Sequence, residues 1–552
     1  MPWTHNYAAL GNSLALTSLV VAIPIFFLFW ALTVKKMKGH IAGIWTLLLT
    51  IVDVVLVYKM PVSLALSASV LGIVNGLFPI AWIVLTAVFL YNLTVESGDF
   101  EIIKNSISSL SDDRRMQALL VAFSFGAFLE GAAGFGSPVA ITAALLIGLG
   151  FEPLYAAGVC LIANTAPVAF GAIGAPIIAA GSVTGISDFT IAQTIGRQLP
   201  FLSVFVPFYL VVLMSGWAGA LEVFPAIIVS GVSFALAQFL SANFLGAYLP
   251  DIISSLFSLI ATAVFLKFWK PKNVFHFPNE KVDKNINAVH YSAGRTFKAW
   301  SPFIILTVMV SIWGLPTFKA FVAKSGLFVN IAHWPGLDGL VMKAAPIVAK
   351  PAVYAASYRW DFFGSGGTAI LISAIISMFI LGVSPARGLK VFLSTLNQLK
   401  YALINMGAVL GFAYLANYSG LSFTLGLLLA STGAAFPILS PVLGWLGVFL
   451  TGSDTSSNAL FCKLQQVTAN QIGVNPVLTV AANSSGGVVG KMISPQSIAV
   501  ATGATGLAGR ESDLFRFTLK HSFVFLVIMM AMVWLQAYVV PGMIPTITAA
   551  IK

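Results

Sequence analysis

The chain is predicted to be an all-α polytopic membrane protein of about 12–13 transmembrane helices, built on two inverted-topology repeats that each contain a re-entrant hairpin and a discontinuous helix. Three observations predict this. Apolar residues make up 58% of the 552 and charged residues only 9%, too little polarity to clothe a water-exposed surface. Apolar runs of spanning length recur along the whole chain. One stretch also occurs twice, as Gly126-Ala-Phe-Leu-Glu-Gly131 and Gly447-Val-Phe-Leu-Thr-Gly452. After each, an asparagine leads by twelve residues to a proline: Asn164 to Pro176 through Gly171, and Asn483 to Pro495 through Gly490. Paired apolar segments broken at matching offsets are the sequence pattern of a transporter.

The unbroken spans fall near 11 to 34, 41 to 58, 74 to 92, 199 to 216, 222 to 243, 247 to 268, 299 to 315, 367 to 384, 401 to 418 and 522 to 545. The first is too long for a signal-peptide core and is followed by Lys35, Lys36 and Lys38, so it is expected to be retained. Basic residues cluster there, at Lys104 to Arg115, across Lys267 to Lys298, at Arg387 to Lys400 and at Arg510 to Lys520. Under the positive-inside rule all five clusters are cytoplasmic and the N-terminus is periplasmic.

An even number of crossings must separate any two of these clusters, and that decides the threading of the broken segments. A straight helix over 117–150 would reach about 50 Å, against a hydrocarbon core of roughly 30 Å. A hairpin that does not cross satisfies the parity. The organisation that follows is N-terminal helices over 1–70 and a first repeat over 74–200, with its hairpin at 117–150 and broken helix at 154–186. Helices of the first half follow over 199–268, then a cytoplasmic linker over 269–298 and helices of the second half over 299–400. The second repeat covers 401–521, with its hairpin at 437–470 and broken helix at 474–506, and a C-terminal helix covers 522–552. Segment 421–436 is assigned to a surface helix, because its counterpart 100–115 is charged and amphipathic.

Backbone freed from a helix costs several kcal/mol if it faces lipid, so breaks are tolerated where they line a polar site. The hairpin tips offer Gly134, Gly136 and Ser137 on one side and Thr455, Ser456, Ser457 and Asn458 on the other. The broken helices add Asn164 and Thr165, then Asn483, Ser484, Ser485 and Ser494. Glycine admits close backbone approach, and helix starts attract anions, so a small carboxylate is the natural guest. The alternative use of any one of these small residues is close helix packing, which the recurrence at matching offsets disfavours for the set.

Three ionisable residues call for separate weighing: Glu130 and Asp454 at the hairpin tips, and Lys491 beside Gly490 in the second broken helix. Desolvation favours the uncharged form of a carboxyl group, which makes Glu130 and Asp454 candidates for proton coupling. Lys491 is a candidate counter-charge for the substrate, or a partner of Asp454 in a fixed internal ion pair. Asp53 reads as a structural carboxylate.

Other chemistries are disfavoured. Gly486-Gly-Val-Val-Gly-Lys491 departs from a nucleotide loop at Ser485 and Met492, so energy is expected from an ion gradient. The six histidines show no metal-ligand spacing, no cofactor is expected, and Cys160 and Cys462 lie in apolar runs. The net charge of +11 sits in short loops and reports orientation, with no nucleic-acid patch. No nucleophile stands beside a base, so an enzyme is not expected.

The segments Gly126 to Ile141, Asn164 to Gly171, Gly447 to Leu460 and Lys491 to Ile498 resemble those of bacterial L-lactate permeases, and the resemblance runs essentially end to end. It implies a proton-coupled importer in the bacterial inner membrane, taking L-lactate, with D-lactate and glycolate as further substrates. A sodium-coupled carrier of other small carboxylates is the alternative. The expected partners are the substrate, a proton and the lipid bilayer, with homo-oligomerisation left open.

Overall fold

The computed structural model describes residues 2–35, 37–108, 110–132, 134, 137–277, 291–507 and 510–545. Among these, ten helices are long and apolar enough to cross a membrane, or eleven with the bent pair Pro153–Ala163 and Val168–Thr184. One of the ten, Gly433–Thr451, contains the entering arm of a hairpin. The sixteen-residue Gly366–Leu381 and the interrupted pair Pro476–Lys491 and Pro495–Ala504 supply two further crossings. Leaving out the hairpin arm and adding these two brings the crossings to twelve.

Ion pairs fix which loops share an end of the molecule. Arg115 binds Asp113 and Glu222 and reaches the carbonyl of Asn273. Arg295 pairs with Asp99, and Arg387 with Glu96. These contacts bring the loops around 96–115, 222, 273, 295 and 387 to one end, as the alternation of twelve crossings requires. The opposite end is capped by the N-terminal strand Trp3–Thr4, which pairs with Val341–Lys343; that strand pairs in turn with Ala352–Val353. His5 seals this cap through its ring, 2.8 Å from the carbonyl of Tyr418.

The first hairpin rises from the basic end through Arg114–Gln117, Ala118–Phe125 and Gly126–Ala132, and returns as Ser137–Gly148. Its counterpart enters from the other end as Phe436–Thr451 and returns as Asp454–Ile472. That inversion sets the two tips facing one another. Gly452 makes the second turn possible, because its φ of 70° lies in the left-handed region that a side chain disfavours. Ser453 then starts the returning arm by accepting the amide of Ser456.

Each hairpin is backed by a long helix, Pro250–Phe268 for the first and Glu511–Tyr538 for the second. The second hairpin also packs on its broken helix backbone to backbone, since Gly444 and Gly486 lie against the carbonyls of Asn483 and Pro441. A separate layer forms where Pro385–Ser419 packs on Gly39–Val57 and Val62–Asn75. Leu421–Ala430 spans only ten residues, about 15 Å, so it does not cross. It differs from the surface helix expected there: it is apolar, and six of its residues are buried, with the returning arm of the second hairpin and the first span packed on it.

Candidate functional site

Both broken helices unwind where the hairpin tips arrive. Pro153–Ala163 stops at Asn164, and the chain turns by 67° before resuming. Ala172, Ile173 and Gly174 all take positive φ there, a conformation rare for a β-branched residue and therefore held by its surroundings. Pro476–Lys491 ends at Lys491, and Ser494 starts the next half-helix by accepting the amide of Ser497 at 3.2 Å.

These breaks meet on the wall of a cavity of about 870 Å³. Deep in it stand Glu130, Gly134, Gly171, Asp454, Thr455, Ser456 and Lys491, and it extends to Lys38, His40, Tyr401 and Glu511 at the basic end. Lys491 donates to Glu130 at 2.6 Å, and Asn164 donates to the other Glu130 oxygen at 3.1 Å. Pairing with Asp454 was one option raised by the sequence. The lysine instead crosses from the second repeat to the first, joining residues 361 positions apart.

Asp454 accepts from Ser484 and, at 3.5 Å, from Asn458. The same Asn458 amide reaches the carbonyl of Pro176 at 3.0 Å, a second link between the repeats. Asn483 donates to Asn458 at 2.9 Å and to Ser457 at 3.4 Å, and it accepts from Gln465 at 3.1 Å. Ser457, Asn458, Asn483 and Ser484 are thus largely spent on holding the second repeat together behind the wall. Gly136 and the side chain of Ser137 lie outside the described residues.

Several buried polar atoms have no hydrogen-bond partner among the described residues: Asn164 Oδ1, Thr165 Oγ1, Asp454 Oδ1, Ser485 Oγ and both oxygens of Asp251. Unsatisfied buried groups are costly, and of these residues Asp454 lines the cavity. A lysine whose internal partner is a single carboxylate, beside free acceptors and cavity-lining hydroxyls, can bind a small anion and exchange protons. Sequence reasoning missed Asp251, Asn405 and Gln496, the latter two on the cavity wall. Asp251 follows Pro250 at the start of an apolar run, where an acidic helix first turn is ordinary. Among the described residues no group of three or more His, Cys, Asp or Glu could hold a metal ion.

The pattern describing the L-lactate permease family matches residues 17–540. The chain is 55% identical to a glycolate permease of Escherichia coli K12, over 98% of this chain and 99% of that one. It is 54% identical to an L-lactate permease of Bacillus subtilis 168, over 99% of this chain and 100% of that one. Among solved structures, the Neisseria gonorrhoeae efflux pump MtrF aligns over 84% of this chain and 83% of its own at 13% identity, with a TM-score of 0.44. Sequence alone is decisive at this level of similarity: the chain belongs to the L-lactate permease family.

Proposed function

We propose that the protein is a secondary active transporter that carries L-lactate, D-lactate and glycolate into the cell with a proton, across the bacterial inner membrane. The observation that carries this reading is the Lys491–Glu130 pair on the cavity wall. An ammonium held by one carboxylate can exchange it for the carboxylate of a substrate, and an oriented charge of this kind is a binding device. Lys491, the free Asn164 and Thr165 oxygens and the cavity-lining Thr455 and Ser456 together suit a carboxylate with a neighbouring hydroxyl.

The relatives support this substrate class, since their names cite glycolate and L-lactate at nearly equal identity. The two acids differ by one methyl group, for which an apolar pocket discriminates by about 1–3 kcal/mol. A cavity of about 870 Å³ is far larger than either molecule, so selection belongs to the closed state. With the basic end in the cytoplasm, the N-terminus is periplasmic and this conformation is open to the cell interior.

One proton moving with one monoanion transfers no net charge. Accumulation then follows the pH difference, about 1.4 kcal/mol per unit, and ignores voltage. The proton rides on the buried carboxyls around the cavity, of which Glu130 and Asp454 are the candidates expected from sequence. Uptake of labelled lactate into proteoliposomes, with pH, sodium and voltage varied separately, tests the proposal. Concentration driven by pH alone supports it; concentration driven by sodium at fixed pH overturns it.

A further inference from the structure

One buried carboxylate takes no part in the contacts described so far. Asp251 stands in the first turn of Pro250–Phe268 and is 1% exposed. Neither of its oxygens has a partner among the described residues. It sits against the tip of the first hairpin, where a side-chain carbon added to Gly131 would lie 2.6 Å from the Asp251 Cβ. Gly131 directly follows Glu130, and both Glu130 and Lys491 act electrostatically on Asp251.

The surroundings contain little else that is charged. Phe224–Phe244, packed along the same helix, has no titratable side chain. The other charges of the hairpin arm, Arg114 and Arg115, stand at its opposite end, as does Lys267 on the Asp251 helix itself. Lys491 and Glu130 cancel one another. An ionised Asp251 would leave this trio with a net negative charge and an unpaired carboxylate out of water. The field of a helix N-terminus offsets only a part of that cost.

We propose that Asp251 holds the coupled proton, and that its protonation releases Lys491 to receive the substrate carboxylate. The inference rests on the proton-coupled reading given above. Geometry separates it from the other two carboxyls: Glu130 accepts on both oxygens, from Lys491 and Asn164, and Asp454 on one, from Ser484 and Asn458, whereas Asp251 accepts on neither among the described residues. With Asp251 ionised, it joins Glu130 and Asp454 around Lys491, and an arriving anion meets net negative charge. A proton from water on Asp251 removes one competitor, and Lys491 passes from Glu130 to the substrate while Asn164 keeps Glu130 in place. Proton and substrate therefore strengthen each other's binding by the same factor.

The test adds L-lactate to purified protein in weakly buffered detergent containing a pH-indicator dye. Across a series of pH values, wild type should take up protons as lactate binds wherever Asp251 is ionised in the free protein, rising toward about one proton per lactate. Asp251→Asn, which mimics the protonated form, should bind lactate with no proton uptake and no pH dependence. In proteoliposomes it should exchange lactate but fail to concentrate it under a pH gradient. Glu130→Gln and Asp454→Asn should keep proton uptake on the lactate they bind. Proton uptake that persists in Asp251→Asn, or is lost in either other variant, overturns the assignment. Should Asp251→Asn fail to fold, the other two variants decide: uptake kept in both supports the assignment and uptake lost in either overturns it. No proton uptake by wild type at any pH of the series would overturn the coupled reading itself, and the assignment with it.

Discussion

Lys491→Met, Glu130→Gln and the double variant together test whether the inter-repeat ion pair is what joins the two halves of the site. The pair is short, 2.6 Å, and its side chains are 10% and 3% exposed. Removing the lysine leaves a buried carboxylate with one amide donor, Asn164. Breaking a buried pair in this way costs about 3–5 kcal/mol. Removing the carboxylate leaves an ammonium that faces the cavity and rehydrates more easily, so that variant falls at the lower end of the range. The double variant strands neither charge, and comparable replacements of a whole pair are close to neutral. Two single losses of at least about 3 kcal/mol each against a near-neutral double variant give a coupling energy of at least about 6 kcal/mol. Denaturant unfolding in detergent, followed by tryptophan fluorescence, measures it across the four proteins. The double variant should be at least as stable as the better single one. Additivity to within about 0.5 kcal/mol would mean that the two groups do not touch, and would refute the arrangement.

Three further outcomes are expected. Gly171→Ala places a Cβ 2.7 Å from Glu130 Oε1 and 3.2 Å from its Cγ; the carboxylate must shift off Lys491, costing about 1–3 kcal/mol, which appears as weaker lactate uptake at unchanged expression. Gly452→Ala forces a side chain into φ of 70° and against Gln496; a cost of at least about 1–2 kcal/mol should lower the thermal stability of the purified protein. His5, in the cap at the end opposite the basic loops, is pushed down to about 4 from 6.5 by burial, with Lys343 acting in the same direction and the bond to the Tyr418 carbonyl opposing. The detached N-terminus binds the proton more readily than the docked one, so docking is fully favoured above pH 6.5 and weakens as pH falls toward 4. The loss, about 3 kcal/mol in all, should appear as faster hydrogen exchange across residues 3–8, and His5→Asn should lack the step.

The breaks were legible because local composition writes them. Glycine, proline and serine at matching offsets located the second hairpin at 437–470, and the structure has it at Phe436–Thr451 and Asp454–Ile472. The second broken helix, expected at 474–506, runs as Pro476–Lys491 and Pro495–Ala504. Partner choice is of another kind. That Lys491 meets Glu130 depends on how two inverted repeats dock, and no local pattern encodes a contact across 361 residues. Polar residues raise the same difficulty: Thr455 and Ser456 line the cavity, whereas the neighbouring Ser457 and Asn458 are consumed by Asn483. A rotation of about 100° per residue separates a side chain that faces a guest from one that faces the protein, and the sequence is polar at both. Segment 421–436 was assigned by analogy with a charged counterpart, although its own residues are apolar enough to have announced a buried helix.

Asp251 is the sharpest case. An aspartate after a proline at the start of an apolar run is the ordinary signature of a helix first turn, where the carboxylate accepts a free backbone amide. Nothing near it in sequence distinguishes that use from a carboxylate with no donor at all. The distinction comes from Gly131, which lets the hairpin tip close over Asp251, and from Glu130 one residue earlier, which brings the ion pair to the same place. A residue becomes chemically unusual here through what the fold withholds from it, and that is settled by the docking of a distant hairpin.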